Sequence, residues 1–162
     1  MKKRKIPLYN GTLKNLENRL RAFQGHTPEM LKEIILKHKD TIVELVTQRQ
    51  LYEQGIEGFG KKIMDYRPYA LSTIKAKCRK NQPYNRVTLK NKGNFYRQTY
   101  IVFNSDGFYI TSRSKVTPIL VKKYGRSIFR LTNQNLTYVI KEIVRKELVT
   151  RLKATLHEGS KR

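Results

Sequence analysis

Thr99-Tyr-Ile-Val-Phe103 and Phe108-Tyr-Ile-Thr-Ser112, joined by Asn104-Ser-Asp-Gly107, is the stretch that decides the fold. Both runs are rich in aromatic and β-branched residues, which suit a pleated surface. The joint ends in Gly107, which can take the left-handed backbone that a short hairpin loop needs. A β-hairpin is therefore expected. Both strands are apolar on both faces, so one face is expected on the core and the other on a helix or a neighbouring subunit. Tyr100, Val102, Phe108 and Ile110 are the candidate subunit-interface residues.

C-terminal to the hairpin, Val116–Tyr124 is apolar but carries Pro118, which leaves its type open, and Ser127–Leu131 reads as a last strand. Thr132 stands as a cap before a long helix with Leu136, Val139, Ile140, Ile143, Val144, Leu148, Leu152 and Leu156 on its apolar stripe. Residues 159–162 are expected to fray.

N-terminal to the hairpin, Gly93 precedes a short segment, Asn94–Gln98, and 81–85 is a loop. Tyr69–Lys80 has no breaker and predicts a helix, with Leu71, Ile74 and Cys78 aligned. Gly55–Pro68, with three glycines and a proline, predicts a loop or short extended strand. Before it, Thr27-Pro28-Glu29 signals a helix start: a hydroxyl cap, a proline in the first turn, then an acid at the positive helix end. Leu31, Ile34, Ile35, His38, Ile42, Leu45, Val46 and Tyr52 follow at helical spacing, up to a stop at Gly55. A shorter helix is expected over Thr12–Gln24, with Leu13, Leu16, Leu20 and Phe23 on one stripe. Residues 1–10 read as a basic arm ordered by a partner. The expected organisation is thus an arm at 1–10, a helical segment at 11–54, an α+β domain at 55–158 and a frayed tail. The fold class is α+β, because strands and helices are segregated rather than alternating.

The charge is lopsided. The 162 residues carry 35 Lys+Arg against 12 Asp+Glu, a formal net charge of +23. Such an excess attracts polyanions: nucleic acid, an anionic membrane surface or an acidic protein face. Between Lys61 and Arg126 the only acids are Asp65 and Asp106. The centre is therefore the expected polyanion-facing part, and the flanks read as ordinary mixed-charge helix surfaces. Lys61, Lys62, Arg67, Lys75, Lys77, Arg79, Lys80, Arg86, Lys90, Lys92 and Arg97 are the candidate contacts to DNA or to an acidic partner. Tyr66, Tyr69, Tyr84 and Tyr96 interleave with them, as on a phosphate-tracking surface with stacking platforms.

Motifs of chemistry fare poorly. Gly55-Ile-Glu-Gly-Phe-Gly60-Lys61-Lys62 follows the phosphate-binding loop until its last position, where Lys62 replaces the hydroxyl that holds magnesium. A helix precedes it where a strand belongs, and Glu57 would sit among the phosphates. His26, His38 and His157 are scattered, and Cys78 is the single cysteine, so neither a metal set nor a nucleophile with its base is visible. Asp65 and Asp106 are too far apart in sequence to suggest a carboxylate pair. No enzyme, cofactor or metal is expected. One cysteine allows no intrachain disulfide. The start lacks a signal peptide's apolar run, and no apolar run is long enough to span a bilayer. The chain is expected to be soluble and intracellular as made, with no membrane partner.

One order of strings resembles a known family. Tyr66-Arg-Pro-Tyr-Ala-Leu-Ser-Thr-Ile-Lys-Ala-Lys77 and then Val87-Thr-Leu-Lys-Asn-Lys-Gly-Asn-Phe-Tyr-Arg-Gln98 resemble the virion morphogenesis (tail-completion) family of Mu-like phages. Pro68, Thr73 and Lys77 match its first string, and Leu89, Gly93 and Phe95 its second. The hairpin, Tyr124-Gly125, Ser127–Thr132 and a closing helix follow in the family's order. The stretch Gln82-Pro-Tyr-Asn-Arg-Val-Thr-Leu-Lys90 is also similar to proteins of crAss-like tailed phages. The match spans roughly 50–150. It departs at Tyr66, where the family has tryptophan, and at Lys92, where it has threonine. The N-terminal helices and the high charge are additions. The resemblance implies a structural virion protein at the neck or tail. Such a protein would be a homo-oligomeric ring linking portal to tail, flanked by neighbouring neck and tail proteins, open to contact with packaged DNA, and assembled in the host cytoplasm. The competing expectation is a non-enzymatic phage protein that binds DNA or RNA.

Overall fold

The computed structural model describes residues 13–157. The basic arm, the start at Thr12 and the tail 159–162 lie outside the described residues. Two long helical runs pack antiparallel. The first comprises α1 (Leu13–Gly25), α2 (Thr27–Lys37) and α3 (Lys39–Glu44), and α3 continues into a π-helical stretch, Leu45–Gln54. The second comprises α8 (Asn133–Tyr138), a π-helical stretch Val139–Val144, and α9 (Arg145–His157). Cross-contacts run in opposite directions along the two: Arg19 donates to the Leu156 carbonyl (3.4 Å), Arg151 meets Glu33 (2.7 Å), and Asn135 reaches the Leu45 carbonyl (3.3 Å).

The breaks in the first run fall at His26 and His38. Pro28 occupies the first turn of α2, where no N–H is needed. Thr27 does not cap this helix. Its hydroxyl turns back to the Phe23 carbonyl (3.0 Å), because α1 ends so close that an orphan carbonyl is within reach. Gly55 ends the run in the left-handed conformation (φ +66°), and a Cβ there would lie 2.8 Å from the Arg86 Cβ. Only glycine meets both demands.

β1 (Thr99–Asn104) and β2 (Gly107–Ser112) form the hairpin, antiparallel from Thr99↔Ser112 to Asn104↔Gly107. Alternation gives it two faces. Ile101, Phe103, Phe108 and Ile110 join the core side, where the rings of Phe103 and Phe108 lie 6.3 Å apart. Tyr100, Val102 and Tyr109 share the outer face with Thr111. The interface expected on Phe108 and Ile110 is corrected accordingly. Period-two alternation turns both inward, and Ile110 is buried in its own subunit.

Between the hairpin and α8, Pro118 sits in the first turn of α7 (Thr117–Tyr124), which resolves the ambiguous segment as helix. Ser127–Leu131 is not a strand. Arg126–Phe129 is a 3-10 turn, and its neighbours are already bonded elsewhere: Gly58 N–H donates to the Ser127 carbonyl (2.9 Å) and the Gln50 amide to the Arg130 carbonyl (2.9 Å). Ile128, Phe129 and Leu131 are apolar because they are buried, not because they alternate. The core is one cluster that crosses residue 54. Ile34, Ile42, Val46 and Leu51 pack with Ile63, Val87, Ile128 and Ile143. The described fold is α+β, mostly helical, with a single two-stranded sheet. No helix among the described residues is long and apolar enough to cross a membrane.

A candidate basic interface and its lysine-floored cleft

The loop that looks like a phosphate site carries its own anion. Ile56 bridges Lys62, and the Glu57 carboxylate accepts from the N–H groups of Phe59 (3.0 Å) and Lys61 (3.2 Å). Glu57 is only 3% exposed, and Gly58 lies so close to Arg130 that a Cβ would sit 2.3 Å from its Cβ. The N–H groups that a phosphate would use are therefore taken by a carboxylate of the same loop.

After the loop come α4 (Ile63–Tyr66), α5 (Leu71–Arg79) and α6 (Asn94–Arg97). The expected stripe on α5 is corrected. Leu71 is 77% exposed and Cys78 is exposed, while Lys77, expected at the surface, is 6% exposed. Tyr69 and Thr88 explain the inversion. Lys77 Nζ donates to the Thr88 hydroxyl (3.2 Å), the Lys90 carbonyl (2.8 Å) and the Gln82 side-chain oxygen (3.4 Å), and lies 5.1 Å from the centre of the Tyr69 ring. Three donors meet three acceptors, as only an ammonium allows. Leu89, between two of these acceptors, has φ +55°, a strained angle for a branched residue. This left-handed step turns Thr88 and Lys90 toward the same nitrogen.

The tyrosines are drawn into the same cluster. Tyr69 OH accepts from Thr88 N–H (2.9 Å), and Tyr96 OH donates to the Thr88 carbonyl. Burial, then the neighbouring Tyr69 and Tyr52, hold the Tyr96 hydroxyl far above the ordinary tyrosine range. Tyr69 and Tyr96 are thus structural, and Tyr66 and Tyr84 are the expected stacking residues that remain exposed. Burial, followed by the nearby Glu57 and Tyr124, also pushes the Tyr66 hydroxyl upward.

The other cations spread over the surface. Lys61, Lys62, Arg67, Lys75, Arg79, Lys80, Lys92 and Arg97 are exposed, and Arg86 and Lys90 are half-buried. Arg86 closes the π-helical end by donating to the Tyr52 carbonyl (2.8 Å), and Lys90 stands over the Tyr52 ring at 4.3 Å. Lys80 donates to the Asn91 side chain (2.8 Å), Arg67 to the Lys123 carbonyl (3.3 Å) and Arg97 to the Lys92 carbonyl (3.2 Å). Every ion pair among the described residues lies within or between the two long helical runs. None of the eleven candidate cations meets a carboxylate among the described residues.

Lys77, Lys80 and Lys90 line one cleft of about 350 Å³ with Leu89, Leu120 and the Ser72 hydroxyl. The sequence offered no sign of it, because its floor is a lysine that a helical wheel assigns to solvent. Among the described residues no group of three or more His, Cys, Asp or Glu could hold a metal. Comparison with protein-family models, with curated proteins and with solved structures finds no match.

Proposed function

We propose that this chain is a non-enzymatic structural protein of a tailed-phage particle, one of the identical subunits of a ring that joins portal to tail at the neck. The observation that carries the reading is the division of charge. Ion pairs hold the helical runs together, while Lys61–Arg97 presents cations without a single carboxylate partner among the described residues. A face of that kind, repeated around a ring, needs an anionic neighbour, either an acidic protein layer or DNA in the channel. The order of strings from Tyr66 to the final helix supports the phage assignment, since it resembles the tail-completion family. Ring closure takes two different complementary patches. The outer hairpin face of Tyr100, Val102 and Tyr109 is one candidate. Exposed Ile140 and Val149 on the last helical run are the other.

A second reading, a nucleic-acid-binding protein of the phage, is favoured by exposed Tyr66 and Tyr84 amid the same cations. Mass spectrometry of purified virions separates the two. The ring reading expects a fixed count of about six to twelve copies per particle. Absence from the particle overturns it. Strong, steeply salt-dependent DNA binding by the isolated chain would then favour the second reading.

A further inference from the structure

A cation buried without a counter-ion is costly to place, and in this protein it floors an open cleft. Lys77 uses its three donors on neutral oxygens, so its hydrogen bonds are satisfied while its charge is not. Lys80 and Lys90 line the same cleft, and no acid does. One-signed walls around a concave site focus the field there. We infer that this cleft is the docking site for an acidic segment of a partner polypeptide, a carboxylate side chain carried between aliphatic ones. The inference deepens the ring reading and rests on it for the partner being a neighbouring structural protein.

Three observations favour a carboxylate on a peptide over nucleic acid. The cleft has no arginine among its lining residues, although Arg67, Arg79 and Arg97 of the same basic stretch are exposed. Guanidinium forks suit phosphates, and point-charge lysines do not demand them. Each of the two aromatic rings of the cleft already carries a cation on one face, Tyr69 from Lys77 and Tyr124 from Lys123 at 5.1 Å each, and Tyr124 is buried, which leaves little ring for a base to stack on. A space of about 350 Å³ takes a side chain or two, not a duplex. The walls of Leu89, Leu120 and Ala76 suit an aliphatic neighbour.

The test is fluorescence anisotropy of the full chain at near-physiological salt with three probes. These are a short N-acetylated peptide alternating glutamate and leucine, its glutamine counterpart, and oligo(dT). The glutamate peptide is expected to bind and the glutamine peptide not. Lys80→Gln should weaken binding about tenfold, whereas Lys153→Gln, the same charge loss on exposed α9, should change it less than about twofold. Ala76→Phe, which fills the cleft and keeps its charges, should abolish peptide binding and leave oligo(dT) binding unchanged. If Ala76→Phe fails to fold, the contrast between Lys80→Gln and Lys153→Gln still decides. No binding of the glutamate peptide, or equal effects of Lys80→Gln and Lys153→Gln, overturns the inference. Loss of oligo(dT) binding in Ala76→Phe makes the cleft a nucleic-acid subsite and overturns it too. Absence of the chain from virions would remove the ring reading while cleft-specific peptide binding could still stand.

Discussion

Two buried polar clusters of the molecule are built on opposite principles. Around Gln50 everything is neutral and mutually paired. Its amide donates to the Arg130 carbonyl, and its oxygen accepts from Thr132 N–H (2.9 Å) and from the Asn135 amide (2.8 Å). Asn135 then reaches the Leu45 carbonyl, and Thr132 caps α8 by accepting from Asn135 N–H (3.3 Å). Around Lys77 a charge is held by neutral oxygens, on a strained backbone step, beside open space. The first cluster locks two helical runs in register. The second keeps a cation in place for something that the chain does not itself supply. Buried polar groups that cost more than they return to stability point to function rather than to folding.

The largest effect expected follows from the first cluster. Gln50→Leu leaves the Arg130 carbonyl, Thr132 N–H and the Asn135 amide without their partner, at roughly 1–3 kcal/mol each before relaxation. A net loss of about 4 kcal/mol should lower the melting temperature by roughly 10 °C in a domain of this size. A loss under about 1 kcal/mol in urea unfolding would mean that the network is dispensable and the comparison void.

Lys77→Met sharpens the contrast from the other side. It removes a buried cation and its desolvation cost and fills the same volume with an apolar chain, and the three oxygens it leaves border an open cleft where water can take the place of the ammonium. Stability should rise or stay within about 1 kcal/mol, with binding of the acidic peptide lost. A destabilisation as large as that of Gln50→Leu would make the ammonium a structural strut, and the functional argument for the cleft would fall.

How much of this the sequence disclosed follows the same divide. The hairpin, the Gly55 stop, the Thr132 cap and the long apolar stripes were legible, because each depends on local chemistry or on simple periodicity. The π-helical stretches were not. Leu45, Val46, Thr47, Gln50 and Leu51 are all buried on a wider winding that a 3.6-residue period does not describe. Ser127–Leu131 misled because buried apolar residues in a tight turn have a strand's composition. Eight of the eleven candidate cations lie exposed, since an acid-poor stretch has few inward roles to offer them. Lys77 escaped because its burial depends on Thr88 and Lys90, which reach it only through the left-handed turn at Leu89.

Tyr96 belongs to the charged cluster and links it to alkaline stability. Its folded pKa is raised by burial, so its contribution is fully present below the ordinary tyrosine value and is lost as pH rises beyond it. Above about pH 10 the unfolded chain releases this proton and the folded chain does not, so stability falls by up to about 1.4 kcal/mol per pH unit from this group. Tyr96→Phe should cost about 1 kcal/mol at neutral pH, through the lost bond to the Thr88 carbonyl, and should flatten the alkaline slope. Urea unfolding at neutral and alkaline pH measures both. An unchanged slope would place the alkaline loss at other groups.

The smallest effect is expected where the helical runs meet through Glu147. Its carboxylate accepts from Lys37 (2.5 Å) and His38 (3.2 Å), and these two hydrogen bonds, Lys37 first, hold its pKa below the usual carboxylate range. A depressed folded pKa contributes stability above the unfolded value and loses it as pH falls through the folded one. The group lies at the surface, where ion pairs are weak and screened by salt. Glu147→Gln should therefore lower the melting temperature only slightly at neutral pH, and the difference from wild type should vanish in acid and shrink in high salt. A difference that persisted through the acid range would show that Glu147 acts by packing rather than by charge. The last helical run would then be held against α2 by apolar contact and the Arg151–Glu33 pair.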